Sequence, residues 1–175
     1  MEQKTNDEFM RNILIEEAWK ELSGDFSWSE ALLEKYQDRV DWDEISSNDN
    51  IRWTIPMIGK FSKRINWNTF SEAADEEVLT PEVIEAFKDK WNWHELSGNR
   101  SLKLTFQELE KYADFLDWEE VISARWGYGG LFDGIGIDFY EKFREYIPAS
   151  KLQGSRLWHE MVEQHKKSLI RDIIS

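Results

Sequence analysis

The chain has 175 residues and no cysteine, and its 35 Asp and Glu against 22 Lys and Arg give a net charge of −13. Without cysteine there is no disulfide, thiolate metal site or thiol nucleophile, so the fold stands on packing alone. The acid excess repels phosphate, which argues against direct binding to nucleic acid or to an anionic membrane. The segment MEQKTNDEFMRNILIEE has neither the basic start nor the apolar core of a secretory signal, and no apolar run approaches a membrane span. A cytoplasmic protein is expected, folded as a single α-repeat domain over 1–175.

Taken in chain order, the sequence repeats itself. Trp19 opens AWKELS, Trp42 lies in DWDEIS, Trp67 in NWNTFS, Trp93 in NWHELS and Trp118 in DWEEVIS, at spacings of 23, 25, 26 and 25 residues. A sixth, degenerate copy carries Ala149 at the anchor position and Leu152 three residues on. Around each anchor the same apolar offsets return. Six residues before it stand Ile13, Tyr36, Phe61, Phe87, Tyr112 and Phe143, and three after it Leu22, Ile45, Phe70, Leu96, Val121 and Leu152. Two before it, from the second copy on, stand Val40, Ile65, Trp91, Leu116 and Ile147. A recurrence of this kind is the mark of a repeat architecture.

Capping residues place the helices. Asp41, Asn66, Asn92 and Asp117 precede the central anchors, and Glu44, Glu95 and Glu120 follow three of these caps at capping-box distance. A short helix is therefore expected from each anchor tryptophan. Ser29, Thr54, Thr80 and Thr105 start a second helix in each unit, with Pro81 at its first position and Pro56 at its second. This second helix is expected to be the longer, about nine residues against six, and to carry apolar residues on one face, as in Val83, Ile84 and Phe87. Helices this short hold only by stacking on one another. The expected fold is all-α, a solenoid-like array of about six helical hairpins of roughly 25 residues over 13–152, closed by a capping helix over about 155–174.

The pattern resembles a family of short tandem helical repeats with a D-W-x-x-[LI]-S-x-N signature, found in uncharacterised bacterial and viral proteins. It is closest at Asp41 to Asn48 and Asn92 to Asn99. The resemblance implies an architecture and a binding role and supplies no catalytic residue.

Nine of the ten tryptophans fall in the register of the repeat and are expected in the core. Trp126 does not. It stands in a glycine-rich insertion over 125–138 that holds Gly127, Gly129, Gly130, Gly134 and Gly136. Glycine lets a partner approach the backbone, while Arg125, Trp126, Tyr128, Phe132, Asp133 and Asp138 offer apolar and charged contacts, so these six are the candidate partner-binding residues. The alternative is a packed turn. Asp133 and Asp138 alone fall short of a calcium loop, and His94, His159 and His165 form no metal or catalytic constellation, so no cofactor is expected.

The function expected from these residues is a non-enzymatic protein-interaction module or scaffold whose partner is another protein, with a basic one suited to the acidic surface. Residues 1–150 carry −15 and residues 151–175 carry +2. An acidic inhibitor or immunity-type protein against a basic target is the alternative. An enzyme with its site near the glycine-rich insertion is the second alternative.

Overall fold

The computed structural model describes residues 2–123 and 135–175, with the side chains of 2–6 left aside. Every regular element among them is a helix. The chain divides into two compact units, Met1–Trp91 and Asn92–Ser175.

The first unit holds α1 (Glu2–Asp25), α2 (Glu30–Tyr36), α3 (Trp42–Ser47), α4 (Ile55–Phe61), α5 (Trp67–Ala73) and α6 (Pro81–Ala86). Helices α3 and α5 start on their tryptophans because Asp41 and Asn66 accept the first free N–H groups of each helix through their side chains. Ser29, Thr54 and Thr80 cap α2, α4 and α6 in the same way. Helix α3 packs between α1 and α5. Leu33, Ile45, Ile58, Phe70 and Ile84 are fully buried and form the core of the unit.

The second unit holds α7 (Trp93–Gly98), α8 (Phe106–Lys111), α9 (Trp118–Ser123), α10 (Gly136–Phe143), α11 (Ala149–Leu152) and α12 (Arg156–Ile174). Asn92 and Asp117 cap α7 and α9, and Thr105 caps α8 in a reciprocal box with Glu108. Helix α7 packs on α9, α9 on α11 and α12, and α10 on α12. Gly136 permits the last contact, since a Cβ there would lie 3.1 Å from the Met161 nitrogen. Between α11 and α12 the chain turns through Gly154 at φ 90°, a left-handed conformation suited to glycine.

Three expectations need correction. The second helix of each pair falls short of the expected nine residues: α2, α4, α6 and α8 have seven, seven, six and six, against six or seven in the anchor helices α3, α5 and α7. Each ends in a tight turn that delivers the buried residue two before the next anchor, as where Val40 N–H donates to the Tyr36 carbonyl. The first copy is no hairpin either. Helix α1 runs unbroken through Trp19, because Ala18 has no side-chain oxygen to start a new helix there. Its Ile13 and Leu22 are exposed. Finally, core burial fits only some tryptophans. Trp28, Trp91 and Trp118 are buried, Trp19, Trp42, Trp53, Trp67 and Trp93 are half-buried, and Trp158 is exposed.

Whether half-buried or buried, the anchor indole keeps its N–H against a polar partner: Trp42, Trp67 and Trp118 donate from Nε1 to the carbonyls of Gln37, Ser62 and Ala113. The ring then lies on the aromatic of the following pair. Trp19 meets Tyr36, Trp42 meets Phe61, Trp67 meets Phe87, Trp93 meets Tyr112 and Trp118 meets Phe143, with centroids 5.1–5.7 Å apart and planes tilted by 35–45°.

Candidate functional site

Before any surface can bind, the buried polar groups must be satisfied, and the serine four residues after each anchor does much of this. Ser23 donates from Oγ to the Trp19 carbonyl at 2.6 Å and accepts the Asp41 N–H at 2.9 Å. Ser46 likewise links the Trp42 carbonyl to the Asn66 N–H, and Ser97 links the Trp93 carbonyl to the Asp117 N–H. The capping-box role expected of Glu44 and Glu120 is therefore corrected, because the N–H groups of Asp41 and Asp117 already have serine as their acceptor.

Asn48 completes the signature. Its Nδ2 donates to the carbonyls of Ser23 and Phe26 at 2.7 and 2.9 Å, and its Oδ1 accepts the Asn50 N–H at 2.8 Å. Asn99, buried like Asn48, accepts the Ser101 N–H. Ser and Asn in D-W-x-x-[LI]-S-x-N are thus structural, and sequence reasoning, which used them only as letters of a consensus, missed their part.

Of the predicted contact residues, Arg125, Trp126, Tyr128, Phe132 and Asp133 lie outside the described residues. Asp138 is exposed in the first turn of α10. The neighbouring backbone is engaged, since the Ile137 N–H donates to Gln164 Oε1 of α12.

The described surface has a different distinguishing feature. Of its sixteen exposed large apolar side chains, twelve lie on α1 and α12. Every described side chain of α1 from 7 to 18 is exposed, and Phe9, Met10, Ile13 and Leu14 sit at spacings that place them on one face. Phe9 is 61% and Leu14 65% exposed. The C-terminal half of α12 presents Leu169, Ile170, Ile173 and Ile174, following Trp158 and Val162 nearer its start. Soluble chains seldom leave such stripes bare unless they bind something.

Each stripe grows out of an anchored root. Helix α1 is fixed by Trp19, against Tyr36 and under the Arg39 guanidinium, and by buried Ser23. Helix α12 is fixed by the Ser155 cap and by Leu157, which is wholly buried. A groove of about 500 Å3 lies beside the α1 root, lined by Ile15, Glu16, Trp19, Lys20, Arg39 and Asp41 among others. Another, of about 540 Å3, lies at the α12 root among Ser123, Gly154, Ser155, Arg156 and His159.

Charged groups elsewhere pair on the surface. His94 Nδ1 lies 2.7 Å from Asp117 Oδ2, and this bond holds the imidazole pKa above its ordinary value. For Asp117, burial acts to raise the pKa, but the His94 bond and the backbone N–H groups of Glu120 and Glu119 outweigh it and hold the carboxyl below the usual range. Glu34 and Glu30 raise the Lys60 pKa, as Glu119 does that of Lys151. Among the described residues no cluster of three or more His, Cys, Asp or Glu could hold a metal ion. No described helix is long and apolar enough to cross a membrane.

Comparison with protein-family models, with curated proteins and with solved structures gives no match to this chain.

Proposed function

We propose that this chain is a non-enzymatic protein-interaction scaffold, an array of short helical hairpins from the second copy of the repeat on, that holds α1 and α12 out as docking helices for other proteins. The carrying observation is the pair of uncovered apolar stripes, Phe9 to Leu14 on α1 and Leu169 to Ile174 on α12. The tandem-repeat resemblance supports the array, as does the recurring anchor geometry, with one serine relay and one tilted ring pair passed from copy to copy. A cysteine-free composition suits a reducing, cytoplasmic setting. The acidic surface favours a basic partner.

A photoreactive phenylalanine analogue placed at position 14 or 170 of the full chain, in cells that express it, tests this. Protein adducts are expected from both positions and not from exposed position 63. Absence of adducts at both 14 and 170 would overturn the proposal.

A further inference from the structure

Resting on that scaffold function, a more specific occupant follows from charge. The α1 stripe is bracketed by carboxylates, Asp7 and Glu8 before it and Glu16 and Glu17 after it, with Arg11 the one cation between. The outer part of α12, from Gln164 to Ile174, carries Lys166, Lys167 and Arg171 against one carboxylate, Asp172, in a chain whose net charge is −13. Lys166 has Glu163 within 3.2 Å on its own helix, while both side chains stay mostly exposed. Two bare apolar faces of opposite electrostatic character thus belong to one chain.

We propose that the occupant of each stripe is a second copy of this chain, with α1 of one copy packed against α12 of another. Apolar contact between Phe9, Leu14, Ile170 and Ile173 supplies the attraction, and Glu16 and Glu17 against Lys166 and Lys167 select the pairing. Like-with-like pairing is disfavoured by the same charges: two α1 stripes oppose carboxylates to carboxylates, and two α12 stripes oppose lysines to lysines. The contact is heterologous, so two copies close reciprocally or further copies add in series.

A charge-swap experiment on the full chain decides the matter. One variant carries Glu16→Lys with Glu17→Lys, the other Lys166→Glu with Lys167→Glu. All four side chains are exposed, so both variants fold, as circular dichroism verifies. In sedimentation velocity at low salt the native chain should be monomeric near about 1 µM and associated near about 200 µM. Each variant alone should lose association by more than about tenfold. An equimolar mixture should recover it, because each basic stripe then finds an acidic one. High salt should weaken the native association.

A native chain that stays monomeric throughout overturns the proposal. So does a variant that alone associates as the native chain does, which would mean α1–α1 or α12–α12 pairing. Binding of a monomeric chain to phosphatidylserine vesicles, lost with Lys166→Glu and Lys167→Glu, would overturn it in favour of a lipid surface. If the chain is monomeric yet position 14 or 170 still cross-links to another protein, self-association fails and the scaffold function stands; loss of both removes both.

Discussion

Helices α3 and α9 begin alike and end differently. Both start on an anchor tryptophan behind an aspartate, Asp41 or Asp117, whose side chain caps the first turn. In α3 the position four residues on is Ser46, which reaches forward to the N–H of Asn66, and Asn48 reaches back to the carbonyls of Ser23 and Phe26. In α9 that position is Ile122, wholly buried, and the residue in the next cap position is Pro148, which has no N–H to satisfy. Aromatic packing takes over: Trp118 is buried among Phe139, Phe143 and Tyr146, with Tyr146 stacked on it at 5.2 Å. The difference teaches that the serine answers a specific backbone donor. Where the donor is missing, a hydroxyl would be a buried polar group without work, and an apolar side chain stands in its place.

The comparison can be broken hardest in the apolar core of the first unit, where α3 packs on α5. Phe70, ringed by Trp53, Trp67 and Trp91, is 1% exposed, and Phe70→Ala should cost about 3–5 kcal/mol in urea or thermal unfolding. It is sharpened by converting one region into the other. Ile122→Ser alone should cost about 2–4 kcal/mol, since it removes buried apolar volume and leaves a hydroxyl with no forward partner. Adding Pro148→Asp restores the N–H, and a double-mutant cycle should give a favourable coupling of about 0.5–3 kcal/mol. Additive effects would deny the link between the two positions.

On the polar side, Asn48→Ala should cost about 1–3 kcal/mol, because it deprives two inward carbonyls of their donor. His94 titrates at the edge of the same scheme. Its folded pKa lies above the ordinary value, so the stabilisation from its Asp117 bond is present below about pH 6.5 and fades as pH rises through the raised pKa. With a side chain 60% exposed, the effect on stability is small and is best read by NMR titration, where Asp117→Asn should return the pKa toward its ordinary value while keeping the cap. Smallest of all, Leu14→Ser and Ile170→Ser should change stability of the unassociated chain by less than about 0.5 kcal/mol, because neither side chain is covered. A larger loss would place these stripes in the core instead of on the surface.

The starts of the helices were legible because a cap is a local event: Asp41, Asn66, Asn92, Asp117 and the Ser/Thr residues before the second helices need only their own next turn. The first copy was not. Ile13 and Leu22 keep the apolar register of the others, yet periodicity records which residues share a face and says nothing of whether that face is covered. Trp158 misled for the same reason, matching Ile51 and Leu102 in register while standing exposed on α12. The roles of Ser46 and Asn48 needed the third dimension, since their partners lie about twenty residues away in the chain. For the exposed apolar stripes a charge signal was present, in the reversal from −15 over 1–150 to +2 over 151–175, but only exposure shows where apolar faces accompany it.

The serine relay also carries direction. Its hydroxyl gives its proton to the carbonyl four residues earlier in its own helix and accepts an N–H from the backbone of the next unit, so the junction reads differently from its two ends. A segment that ends on such a serine can be followed by any segment that opens with a free N–H, whatever the rest of its surface says. Pro148 cannot answer that request. In the vocabulary of modular assembly it is a stop: duplication could lengthen the molecule at Ser23, Ser46 or Ser97 without redesigning the joint, whereas beyond Ile122 growth would first require a new residue at 148.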